Sequence, residues 1–150
     1  MSDKIIKIFA SNLALSAVAS PCVGLQTADN ARFLRFWFEP EWYRIGLNIE
    51  SAVSTVCSHI KWYAHNKGGG FRKWYGNQDY IINWANDGNE VRKLSGSVIR
   101  NPSFYFKASI SWSKISSATI SFRYFPKGFI FDCAALSLFF KEKELYNFYL

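Results

Sequence analysis

Apolar residues at Ile5, Ile8, Phe9, Leu13 and Leu15 partly share one face at helical spacing, which predicts a short helix over Lys4 to Leu15. The chain then turns polar from Gly24 to Asn30, where Asp29-Asn30 reads as a loop. Arg32 to Phe38 is aromatic, basic and extended, and Glu39-Pro40 stops it because proline has no N–H for a ladder. Val53, Val56, Cys57 and Ile60 recur with helical spacing, so a second helix is expected over Ser51 to Ile60. Tyr80 to Trp84 reads as a strand closed by the turn signal Asn86-Asp87-Gly88. Ile110 to Ser113 and Thr119 to Phe125 also read as extended. Pro126-Lys127-Gly128 then supplies a turn into Phe129 to Cys133, which predicts a hairpin. From Lys141 to Leu150 the spacing is helical again. The order predicts an α+β fold, strand-rich in its middle with short flanking helices.

With 150 residues there is room for one domain around one core, and no repeat or linker divides residues 1–150. Apolar residues are 49% and charged residues 19% of the chain, a balance that folds rather than stays disordered. The 14 Phe, 8 Tyr and 6 Trp supply core area, but such rings are also the surfaces on which bases stack. Lys4 and Lys7 before the apolar run Ile8 to Ala19, ending in Ala17-Val18-Ala19, mimic a secretory signal. Ser11, Asn12 and Ser16 interrupt that run, and no stretch reaches the ~20 apolar residues of a spanning helix. Three widely spaced cysteines, Cys22, Cys57 and Cys133, argue against a disulfide framework and for a reducing compartment.

Charge is placed unevenly. Eleven Lys and Arg lie between Lys61 and Lys127, against only Asp79, Asp87 and Glu90. Such an excess attracts polyanions, nucleic acid first and an acidic membrane surface second, although a solvated basic face carries the same signature.

The strongest local signal sits in that stretch, Lys67-Gly68-Gly69-Gly70-Phe71-Arg72-Lys73-Trp74-Tyr75-Gly76. Glycines let a backbone approach a bulky ligand and present N–H groups to it. Lys67, Arg72 and Lys73 can neutralise phosphates, while Phe71, Trp74 or Tyr75 can stack on bases. A glycine hairpin with its aromatics packed inward is the structural alternative. The segment is not a phosphate loop of the nucleotide-triphosphatase kind, since its lysine precedes the glycines. Asn101-Pro102-Ser103-Phe104 approximates the Asn-Pro-Pro-aromatic tetrapeptide of amino-group DNA methyltransferases, but the second proline is missing and it reads as a turn. Cys57, His59 and His65 match no zinc spacing, and no Ser/His/Asp or Cys/His arrangement stands out, so no catalytic or metal-binding residue is assigned.

Gly24-Leu25-Gln26-Thr27-Ala28-Asp29-Asn30-Ala31-Arg32-Phe33-Leu34-Arg35 resembles the opening of the target-recognition region in the adenine-specific DNA methyltransferases of BREX phage-defence systems. The resemblance continues through Lys61-Trp62, Asn66 to Gly69, Phe71 to Asn77, Asn83-Trp84, Asn86-Asp87-Gly88 and Tyr105-Phe106-Lys107. It ends with Trp112-Ser113, Arg123-Tyr124 and Pro126 to Asp132, nearly the whole chain in order. It implies a single target-recognition domain cut from a larger protein, gripping double-stranded DNA so that a separate core can methylate one extruded adenine. S-adenosylmethionine is implied for the full-length relatives only, and this chain alone is expected to be inactive. A methyltransferase core or another restriction or defence component is the implied protein partner. A cytoplasmic location, away from any membrane, is expected.

Within the resemblance, phosphate contacts are expected from Lys67, Arg72, Lys73, Arg123 and Lys127, and base-edge contacts from Asn66, Asn77, Gln78 or Arg72. Gly68 and Gly69 would admit the backbone, and Phe71 and Trp74 would stack. A protein-interaction module using the same basic aromatic surface is the alternative. Three departures stand out: Ala28 where the family has glycine, Ala64-His65 in place of a Pro-Tyr pair, and Ala134-Ala135 in place of two glycines. Each lost glycine is expected to mark a left-handed or closely approached backbone position.

Overall fold

The computed structural model describes residues 3–12, 14–116 and 119–141. Helix α1 (Asp3–Ser11) and a single turn α2 (Leu15–Val18) lead into strand β1 (Ala19–Cys22). Helix α3 (Asn30–Phe33) follows, then β2 (Leu34–Phe36), β3 (Ile45–Gly46), β4 (Trp62–Asn66) and β5 (Tyr80–Asn83). After helix α4 (Ala85–Lys93) come β6 (Ser109–Ser113), β7 (Arg123–Phe125), β8 (Ile130–Phe131) and β9 (Ala135–Phe140). The fold is α+β, and its helices are short.

Two sheets are built from these strands. One runs β1-β9-β6-β7, all antiparallel. In the other, β5 lies between β2 and β4, while β3 and β8 both pair parallel with β4 at successive positions. Strand β4 is buried at all five residues, and hence shows no alternation of apolar and polar positions. Pro21 is tolerated within β1 because that strand lies at a sheet edge. A single large aromatic cluster fills the space between elements. Trp84 meets Tyr105 edge-on at 5.4 Å, Tyr105 meets Phe131 at 5.5 Å, and Phe131 packs on Phe139 at 5.1 Å.

Local chemistry explains several boundaries. Asp29, expected in a loop, caps α3: its carboxylate accepts the Arg32 N–H at 2.9 Å, so helix replaces the extended backbone expected from Arg32. Asn86, Asp87 and Gly88 all take left-handed angles, and a side chain on Gly88 would run into the Trp84 ring. This is the turn that the Asn-Asp-Gly sequence announced. The Asn101–Phe104 tetrapeptide is likewise a turn, with the Asn101 amide donating to the Val23 carbonyl at 3.0 Å.

Two expectations are corrected. The helix over Ser51 to Ile60 shrinks to a 3-10 turn, Ala52–Thr55. Cys57 adopts a φ of 54°, which a right-handed helix cannot accommodate, and Val53 and Val56 are exposed rather than packed. The hairpin expected between Thr119–Phe125 and Phe129–Cys133 does not form. Strand β7 pairs with β6, whereas β8 pairs with β4, because the intervening turn crosses between sheets. Gly128, at φ 101°, donates to the Phe106 carbonyl, and Phe106 donates to the Phe129 carbonyl. The helix expected beyond Lys141 lies outside the described residues.

Ala28 sits at φ 60°, the left-handed position anticipated from its missing glycine, whereas Ala134 and Ala135 are not in that region. Ala28→Gly should therefore raise stability by about 1 kcal/mol, seen as a rise of roughly 2–4 °C in thermal midpoint. An unchanged or lowered midpoint would contradict the strain assigned to Ala28.

Candidate nucleic-acid interface

The glycine-rich segment leaves β4 at Asn66 and returns to β5 at Tyr80, yet it docks on the other sheet. Trp74, at φ 70°, donates to the Phe122 carbonyl at 2.9 Å and accepts from the Tyr124 N–H at 3.0 Å. It thereby adds one residue to the free edge of β7. Behind this contact the Arg123 side chain is fully buried. Its guanidinium donates to the Arg72 carbonyl at 3.3 Å, to Ser121 Oγ at 3.1 Å and to Ser113 Oγ at 3.0 Å. Ser113 also receives the Gly69 N–H and returns its hydroxyl proton to the Gly69 carbonyl at 2.7 Å. Asn77, left-handed at φ 57°, closes the loop by donating to the Gly70 carbonyl at 2.9 Å.

The root of the loop is fixed by a second buried group, Asp132. Its carboxylate accepts the Ala134 N–H at 2.8 Å, pairs with Lys67 Nζ at 3.0 Å, and lies 3.4 Å from His65 Nε2. Burial alone would raise its pKa. The His65 imidazole, the Ala134 N–H and the Lys67 ammonium outweigh burial and hold the group well below the usual carboxylate range.

The expected site residues divide by what their polar atoms already do. Phe71, Arg72, Lys73, Trp74 and Tyr75 are exposed together on the outer side of the loop, with Tyr75 at 72% and the Lys73 ammonium 4.9 Å from the Trp74 ring centre. Lys67 is half-buried and spends its charge on Asp132, with a further contact to Asn30 Oδ1 at 3.3 Å. Asn66 is buried, bonded to Ser111 Oγ and to the Gly68 N–H, which also keeps Gly68 at its left-handed φ of 77°. The Gln78 amide nitrogen is buried without a partner among the described residues. Lys127 is on the turn between sheets, paired with Glu50 at 2.6 Å.

No protein-family model matches the chain. It is 38% identical over 136 residues to the adenine-specific methyltransferase PglX of Lacticaseibacillus casei (strain Zhang), which covers 86% of the chain. It is also 38% identical over 141 residues to the adenine-specific methyltransferase BrxX of Escherichia coli O9:H4 (strain HS), covering 93%. The chain is homologous to a segment of these methyltransferases. It spans 11% of the length of each, so what the similarity to PglX and BrxX establishes is kinship of one segment.

Ser113, Ser121, Asp132 and His65 were not among the residues expected to shape the site. Two serines, one ending β6 and one just before β7, carry no spacing signal, and only folding brings them under the loop. No helix among the described residues is long and apolar enough to cross a membrane.

Because Asp132 has a depressed pKa in the fold, its stabilising effect is present above the unfolded value near 4 and lost as pH falls through the lower folded value. Asp132→Asn should cost about 1.5–3 kcal/mol above roughly pH 5, and the deficit should shrink below about pH 4. Urea unfolding of both proteins across a pH series checks this; a deficit independent of pH would refute the assignment.

Proposed function

We propose that this chain is a DNA-contacting target-recognition segment of a BREX-type adenine-specific DNA methyltransferase. The observation that carries the reading is the outer face of the 67–79 loop, where two cations and three aromatic rings stand exposed on a backbone pinned from behind. Homology to segments of PglX and BrxX supports the same reading. Arg72 and Lys73 would meet phosphates, and Arg72, whose Nη1 donates to the Phe71 carbonyl at 3.1 Å, would exchange that bond to read guanine. Phe71, Trp74 and Tyr75 would lie against sugars or exposed bases. Asn66, Asn77 and Arg123 would act from within, holding the loop in shape, while Lys67 would first have to leave Asp132. Lys127 would lie at the margin.

S-adenosylmethionine would bind in the remainder of a full-length relative. The glycine loop here does not fit that cofactor, since it joins two antiparallel strands and no helix N-terminus follows it to face a ligand. The segment would therefore grip the duplex and contribute no atom to methyl transfer.

A second reading draws on a different observation. Phe36, Trp37, Phe38, Trp42 and Tyr43 are exposed, with Phe36 and Phe38 stacked 5.5 Å apart, and this patch is flanked by charges of both signs. Such a surface suits a protein partner, for example a methyltransferase core.

Fluorescence anisotropy with a duplex across a salt series separates the two. The recognition reading expects affinity to fall steeply with salt, and Arg72→Ala with Lys73→Ala to weaken binding and reduce the slope by about two. Binding untouched by that double change would remove the loop from the interface. A folded protein that ignores DNA at low salt would favour the protein-partner reading.

A further inference from the structure

Three features beneath the loop are not accounted for by its exposed cations. The first is Gly70. Its φ is not in the left-handed region, and a side chain built there would meet nothing within 4 Å, so neither conformation nor internal packing demands glycine. The second is a run of backbone donors: the N–H groups of Gly70, Phe71 and Arg72 reach no acceptor among the described residues. The third is the charge on Arg123. It is buried, and among the described residues every acceptor it reaches is neutral and its Nε has no partner. Among the described residues no carboxylate pairs with it. A buried cation without a counter-ion is costly, and burial shifts the Arg123 pKa downward accordingly.

These features converge on one place. Gly69, Gly70, Phe71, Ser113 and Ser121, with Ser116 and the apolar Ile120, line a notch of about 10 Å³, room for a single oxygen-sized atom. Ser121 Oγ accepts from Arg123, so its own proton is left to point elsewhere. We propose that this notch seats a non-bridging phosphodiester oxygen of the DNA backbone. The Gly70 and Phe71 amides and the Ser121 hydroxyl are the donors, and Arg123 supplies the opposite charge from below. A backbone nest of this kind suits an anion because its dipoles are fixed before the ligand arrives. Glycine at 70 is then explained from outside the molecule: a methyl group there would occupy the path of the phosphate. The arrangement rests on the recognition reading and adds to it a specific group, a specific oxygen and residues outside the exposed face.

The test is Gly70→Ala, with Gly70→Val as a bulkier second variant, in the full chain. Both should keep the wild-type thermal midpoint, since the added atoms enter open space. Affinity for a duplex of about 25 base pairs should fall at least tenfold for Ala and further for Val. The slope of log affinity against log salt should drop by about one, the loss of a single phosphate contact. Ser121→Ala should move affinity in the same direction by a smaller factor. Wild-type affinity and slope in both glycine variants would overturn the phosphate seat while leaving the recognition reading intact. If the wild-type protein itself shows no salt-dependent binding, the recognition reading falls and the seat with it.

Discussion

The loop belongs by connectivity to one sheet and by contact to the other, and Arg123 is the group that makes this possible. The two sheets share no strand ladder. What joins them includes the Asn66–Ser111 hydrogen bond, the covalent passage from β8 to β9, and the bridge at Trp74. Arg123 lies under that bridge and holds at once a carbonyl of the loop, Ser113 at the end of β6 and Ser121 just before β7. Hydrogen bonds from a charged donor are each worth about 1.5–3 kcal/mol, enough to hold Trp74 in a backbone conformation that a bulky residue seldom adopts.

Much of the fold was legible where side-chain chemistry acts locally. Asn86-Asp87-Gly88 announced its left-handed turn, Tyr80 to Trp84 its strand, and Ala28 its strained angle. Periodicity misled where burial is uniform or packing absent. Strand β4 is buried on every side, so its Trp-Tyr-Ala-His-Asn run has no alternating face to reveal it. Val53 and Val56 have helical spacing but nothing to pack against. The expected hairpin failed for a reason no neighbouring residue encodes: the partner of β8 is β4, more than sixty residues away in the chain. For the site, the exposed face of the loop could be read from its composition. The buried layer of Arg123, Ser113, Ser121 and Asp132 could not, because those residues meet only in three dimensions.

Basic charge in the sequence is also not the same as basic charge available to a partner. Lys67 is tied to Asp132, Lys127 to Glu50, Arg92 to Asp87 and Arg32 to Glu90. Among the described residues Arg72 and Lys73 on the loop, and Lys93, Lys107 and Lys114 elsewhere in the basic stretch, are exposed cations without a carboxylate partner, whereas Arg123 is unpaired but buried.

The tryptophans give the molecule a spectroscopic division of its own. Trp62 and Trp84 are buried and Trp112 is half-buried, while Trp37, Trp42 and Trp74 face solvent, and Trp74 alone of these lies on the glycine loop beneath a lysine ammonium. Emission from the whole chain is therefore a blend of a blue, shielded component and a red, wet one. An event confined to the loop would dim or shift only part of the red component, and general loosening of the core would redden the blue one. The chain carries its own label, able to tell an encounter at its surface from a change in its interior.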